Sequence, residues 1–124
     1  MAYLNTAREH SLQLCLAALA DSTRRAVFHE LRRGPRTVGE IANELPVSRP
    51  AVSQHLRALQ HADLVHERWE GTRHYFSLNP ATIIELRRYF EQMWQEAMGA
   101  YARYVENEEA IHGRSGKTGK KQRR

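Results

Sequence analysis

At 124 residues, with 41% hydrophobic and 27% charged side chains, the chain has room for one domain around a single modest core. One cysteine, Cys15, excludes an internal disulfide framework, and no apolar run approaches the ~20 residues of a membrane span. The net charge of +5 belongs to the C-terminus: Gly113 to Arg124 hold six cations and no acid, whereas residues 1–112 carry 13 arginines, no lysine and 14 acids.

Asn5-Thr6-Ala7-Arg8-Glu9-His10 is polar where a signal peptide needs an apolar core, so a cytoplasmic location is expected. Leu12, Cys15, Leu16 and Leu19 mark a first amphipathic helix, and Cys15 on its apolar stripe reads as a buried structural thiol rather than a redox sensor. Asp21 or Ser22 can cap a second helix running through Ala26, Val27, Phe28 and Leu31 to Gly34-Pro35. Thr37-Val38-Gly39-Glu40 then has the T-x-x-E form of a capping box, and Ile41, Ala42 and Leu45 complete a short third helix. Pro46-Val47 breaks it. Ser48 is placed to cap the next helix, whose first turn tolerates Pro50.

The helix from Ser48 to Leu59 carries two tasks. Val52, Leu56 and Leu59 recur at helical spacing and can bury one stripe, while Arg49, Ser53, Gln54 and Arg57 stand on the other side. That polar side has no carboxylate. Forked cations, amides and hydroxyls are the groups that hydrogen-bond base edges and phosphates, so this is a candidate DNA recognition helix. Local charge agrees: residues 21–78 hold nine arginines against seven acids, and residues 79–112 three against six.

After Leu59 the period changes. Leu64 to Trp69 and Arg73 to Leu78 are strand-like runs around a Glu70-Gly71-Thr72 turn, which predicts a β-hairpin, and Tyr75 and Phe76 alternate so that one of them belongs to the core. Asn79-Pro80 caps a last helix. Ile83, Leu86, Phe90, Met93, Ala97, Ala100 and Tyr104 form a coiled-coil-like seam along it to about Glu106, widened by Trp94, Met98, Tyr101 and Val105. Residues 1–112 are thus expected to form one folded domain, and 113–124 a basic, disordered tail. The fold class is mainly α with a β-hairpin wing, in the order helix, helix, helix, helix, strand, strand, helix: a winged helix-turn-helix.

The motifs Leu19-Ala20-Asp21-Ser22-Thr23-Arg24-Arg25, Thr37-Val38-Gly39-Glu40-Ile41-Ala42, Ser48-Arg49-Pro50-Ala51-Val52-Ser53-Gln54-His55-Leu56 and Gly71-Thr72-Arg73-His74-Tyr75, in that order, resemble the ArsR family of bacterial transcriptional regulators. The likeness covers about residues 12–105. It implies a homodimer that binds a pseudo-palindromic operator on double-stranded DNA and usually represses, with the terminal helices as the dimer interface. Leu12, Leu16, Leu19, Phe90, Met93, Trp94, Ala97, Met98 and Tyr101 are the residues expected there.

A recognition helix places its N-terminal residues against bases, which selects Arg49, Ser53 and Gln54 for direct readout, with Ser48 and Pro50 at the helix start and Arg57 nearer a phosphate. His55 neighbours the buried stripe, where helix packing or a phosphate contact is its plainer role. The amides at Thr37 could grip a phosphate beside Arg36, and Arg68, Thr72, Arg73 and His74 of the hairpin could touch the backbone or minor groove.

This sequence departs from the metal-sensing members it resembles. The stretch from Thr37 to Leu45 has no cysteine, Pro80 to Glu106 has no histidine, and His55, His61, His66 and His74 are not at ligand spacing, so no metal and no cofactor is expected. Catalysis is not expected either: the residue five positions before Gly116-Lys117-Thr118 is Ile111 where a phosphate loop needs glycine, and His29-Glu30 lacks the second histidine of a zinc protease helix. Alternatives are a winged-helix module that binds protein, and a repressor released by a small organic effector, of unidentified structure, near Trp94, Met98 and Tyr101. The tail could anchor DNA nonspecifically or be a solvated extension.

Overall fold

A computed structural model describes the backbone of residues 6–123 and the side chains of residues 7–113. The elements are α1 (Thr6–Ala20), α2 (Ser22–Glu30) with a 3₁₀ turn at Leu31–Arg33, α3 (Val38–Glu44), α4 (Arg49–His61), β1 (Val65–Glu70), β2 (Arg73–Leu78) and α5 (Pro80–Arg123). Two compact units result, residues 1–86 and 87–124.

The first unit holds the core. Val27, Leu31, Ile41, Val52, Leu56, Leu59 and Leu64 are essentially inaccessible, with Cys15, Ala18, Phe76 and Leu86 around them. Helix α4 runs through this cluster and packs on α1, α2 and α3. The Cys15 thiol donates to the Ala62 carbonyl at 3.3 Å, and burial, with the charge of Asp63 adding, pushes it above its ordinary range, so it behaves as a packed thiol.

Local chemistry sets each helix end. Asp21, not Ser22, caps α2 by accepting from the Arg24 amide at 2.8 Å. The same turn closes α1, which has no basic residue in its last turn: Arg25 donates to the carbonyls of Leu19 and Ala20, and Arg24 to that of Ala18. The capping box of α3 is complete, with Glu40 N–H donating to Thr37 Oγ1 and Thr37 N–H to Glu40 Oε1. Ser48 Oγ accepts from the Ala51 amide at 3.3 Å to open α4.

The strands pair antiparallel from Val65 with Leu78 to Glu70 with Arg73. Glu70 is therefore a strand residue, and the turn is only Gly71-Thr72, with Gly71 in the left-handed region at φ 60° that a two-residue hairpin turn demands. Arg36 adds a rung on the other edge of β2 by exchanging both backbone hydrogen bonds with Phe76. Buried Asn79 ties the hairpin exit down: its amide group donates to Asp63 O and Thr82 Oγ1, and its Oδ1 accepts from the Ala81 amide.

Helix α5 runs beyond the Glu106 at which its apolar pattern ends. Its backbone is helical to Arg123, and the side chains of the expected basic tail from residue 114 onward lie outside the described residues.

Candidate nucleic-acid interface

Helices α3 and α4 and the turn between them build the candidate interface. Val52, Leu56 and Leu59 are fully buried and fix the rotation of α4 about its axis. That rotation leaves Arg49, Pro50, Gln54, Arg57 and His61 exposed and Ser53 and His55 half-buried, and no residue of α4 is acidic. Arg49, Pro50, Ser53, Gln54 and Arg57 thus share an outward side, while His55 stands beside the buried stripe. Ser48 is exposed at the cap. Half-buried His55 lies near the Asp21 carboxylate, which is held below its ordinary range mainly by the Arg24 amide, with the charges of His55 and Arg24 adding.

Arg57 has neighbours that its sequence position does not disclose. Arg24 of α2 and His61 line an open groove with it, over Leu14, Ala18 and Ala58, and no carboxylate lines that groove. His61 stands four residues after Arg57, a spacing that was legible; Arg24 arrives from another helix and was not.

At the start of α3 the amides of Thr37 and Glu40 are already used by the capping box. Both Arg36 and Thr37 are half-buried, and Arg36 is fixed beside the hairpin by its backbone. A phosphate here would meet these side chains and fewer free amides than the sequence suggests.

The hairpin has two faces. Arg68, Arg73 and Tyr75 share one: the Arg68 guanidinium stands 6.0 Å from the Tyr75 ring centroid and 3.4 Å from Glu70, and Arg73 Nη1 donates to Tyr75 Oη at 3.5 Å. Thr72 is exposed at the tip. His74 is on the other face, stacked on Trp69 at 4.2 Å and 7°, packed against Phe76, and paired with Glu67 at 2.6 Å. Its ring is committed within the wing, leaving Trp69, 63% exposed, as the outermost group of that face.

Among the residues expected at a dimer interface, Leu12 and Leu19 are half-buried against the core of their own chain, while Leu16 is exposed. In the second unit Phe90, Met93, Trp94, Ala97, Met98 and Tyr101 are all exposed and, by their spacing of three and four, share one face of α5. Among the described residues no three His, Cys, Asp or Glu side chains come together as a metal site would require.

A helix-turn-helix domain family matches residues 19–68, the span from the end of α1 into β1. The HTH-type transcriptional regulator Rv2034 of Mycobacterium tuberculosis is 48% identical over 73% of this chain and 85% of its own length. The transcriptional repressor SdpR of Bacillus subtilis is 35% identical over 53% and 73%. An ArsR-like transcriptional regulator from Rhodococcus sp. RHA1 superposes with a TM-score of 0.70 at 29% identity, over 86% of this chain and 96% of that one. This chain belongs to the ArsR family of winged helix-turn-helix transcriptional regulators. A further solved structure, the homodimeric winged helix-turn-helix DNA-binding domain (fragment 1–100) of Mb0332 from Mycobacterium bovis, shares 28% identity at a TM-score of 0.59, over 75% of this chain and 83% of that one. In this ArsR-family chain the matched helix-turn-helix span contains α3 and α4 entire. It is a regulator and not an enzyme.

Proposed function

We propose that the chain is a homodimeric repressor of the bacterial cytoplasm that binds an inverted-repeat operator on double-stranded DNA, one α4 helix per half-site. The observation that carries this reading is the outward side of α4, where Arg49, Ser53 and Gln54 have no carboxylate among them. Arg57, with Arg24 and His61 beside it, takes a phosphate; Arg36, Thr37, Arg68, Thr72 and Arg73 contact the sugar-phosphate backbone on either side. Self-association uses α1 and the aromatic face of α5. Repression is supported by the likeness to SdpR, and dimerisation by that to the homodimeric M. bovis domain. Two-fold symmetry would set the half-sites one turn apart, about 34–36 Å. No known metal-sensing motif of the family is present in the sequence, and the alternative release mechanism is a small organic effector that enters at the dimer interface beside Trp94, Met98 and Tyr101.

Selection of bound fragments from the source genome, followed by a salt titration on the recovered duplex, tests this. The expected result is a shared inverted repeat, bound roughly 10³-fold or more tighter than random duplex. Affinity should fall steeply as salt rises. Failure of every fragment to show specific binding at low salt would leave a protein-binding module as the better reading.

A further inference from the structure

Gly39 occupies the second position of α3, inside a helix where alanine is the more stable residue. Its φ is not positive, so the backbone does not require glycine. A Cβ built there would meet the guanidinium of Arg49 first, at 3.2 Å from Nη2, 3.4 Å from Cζ and 3.7 Å from Nη1. Such similar distances to three coplanar atoms put the flat face of the group, and not its edge, against the glycine. The N–H edges that fork onto a guanine are therefore left open. Arg49 starts at the first residue of α4, and its side chain lies back across the first turn of α3.

We propose that Gly39 is a positioning residue for DNA reading: the missing side chain forms a seat that holds the Arg49 guanidinium in one orientation before DNA arrives. The inference rests on the assignment of Arg49 as a base contact. An unseated arginine samples many rotamers and loses that freedom on binding, whereas a seated one has lost it already. A methyl group at Gly39 would stand 3.2 Å from Arg49 Nη2, closer than such groups ordinarily approach, and because the obstacle is the far end of a flexible side chain, the helix keeps the methyl and the guanidinium gives by a few tenths of an ångström. Stability and reading are thereby separated in one substitution.

The test uses the full chain and the duplex recovered by genomic selection, with Gly39→Ala, Arg49→Ala and the double variant compared for affinity, for discrimination against the single-base change to which Arg49→Ala is blind, and for melting temperature. Gly39→Ala is expected to melt no lower than wild type, to bind about threefold to tenfold more weakly, and to lose part of its discrimination at that base. In the Arg49→Ala background it should have no further effect. Wild-type binding by Gly39→Ala while Arg49→Ala is impaired would overturn the seat and leave the DNA reading intact. A Gly39→Ala loss that persists without Arg49, or a melting temperature several degrees lower, would show that the glycine serves the fold. Unchanged affinity and preference in Arg49→Ala would overturn the base contact itself, and the seat with it.

Discussion

Helices α4 and α5 carry apolar stripes of the same helical spacing and meet opposite fates. In α4 the stripe of Val52, Leu56 and Leu59 is completely covered by the other helices of its own unit, which turns the polar side outward. Past Leu86, α5 keeps Phe90, Met93, Trp94, Met98 and Tyr101 open, with Trp94 and Tyr101 more than 60% exposed. Periodicity fixes which face of a helix is apolar; the rest of the chain decides whether that face is covered. One helix has its apolar partners at home, and the other presents a surface suited to a second copy.

Substitutions can sharpen that contrast. Leu56→Ala should lower unfolding free energy by about 2–5 kcal/mol in a denaturant titration, because a fully buried stripe cannot refill the cavity. Trp94→Glu together with Met98→Glu should leave the circular dichroism of the fold in place and shift sedimentation at micromolar concentration from dimer to monomer; a persistent dimer would separate the α5 face from self-association. On the outward side of α4, Gln54→Ala should cost about 1–3 kcal/mol of discrimination at one base position of the selected site, with little change in melting temperature.

Smaller effects come from the helix that precedes α4. Thr37→Ala removes the hydroxyl that accepts from the Glu40 amide and should cost about 1 kcal/mol of stability. The Thr37 amide, with its hydroxyl adding, holds the Glu40 carboxyl below its ordinary 4.5. A carboxyl lowered on folding stabilises the fold above its ordinary value and loses that contribution as pH falls through its folded value. The stability gap between wild type and Glu40→Gln should therefore be full at neutral pH and close as pH drops below 4.5; a gap that stays constant to lower pH would mean that charge is not what the box uses.

Much of this was legible in the sequence wherever the cause is local. The capping box, the Ser48 cap, the buried stripe of α4 and the hairpin each depend on residues within a turn or two of one another, and the structure places them as their spacing implies. What escaped depends on residues distant in sequence or on side-chain packing. Arg24 and Arg25 look like surface cations and instead close the end of α1. His74 reads as a backbone contact until Trp69, Phe76 and Glu67 are seen to enclose it. Gly39 reads as a helix residue of poor propensity until Arg49 is found lying on it.

A symmetric pair of α4 helices reading one operator should be sensitive to the insertion of about five base pairs, half a helical turn, between the half-sites of the selected duplex. The insertion should abolish specific binding and restoring a full turn should recover much of it, because a rigid two-fold dimer can present both recognition helices to one side of the DNA only. Equal affinity for the original and the half-turn duplex would contradict it.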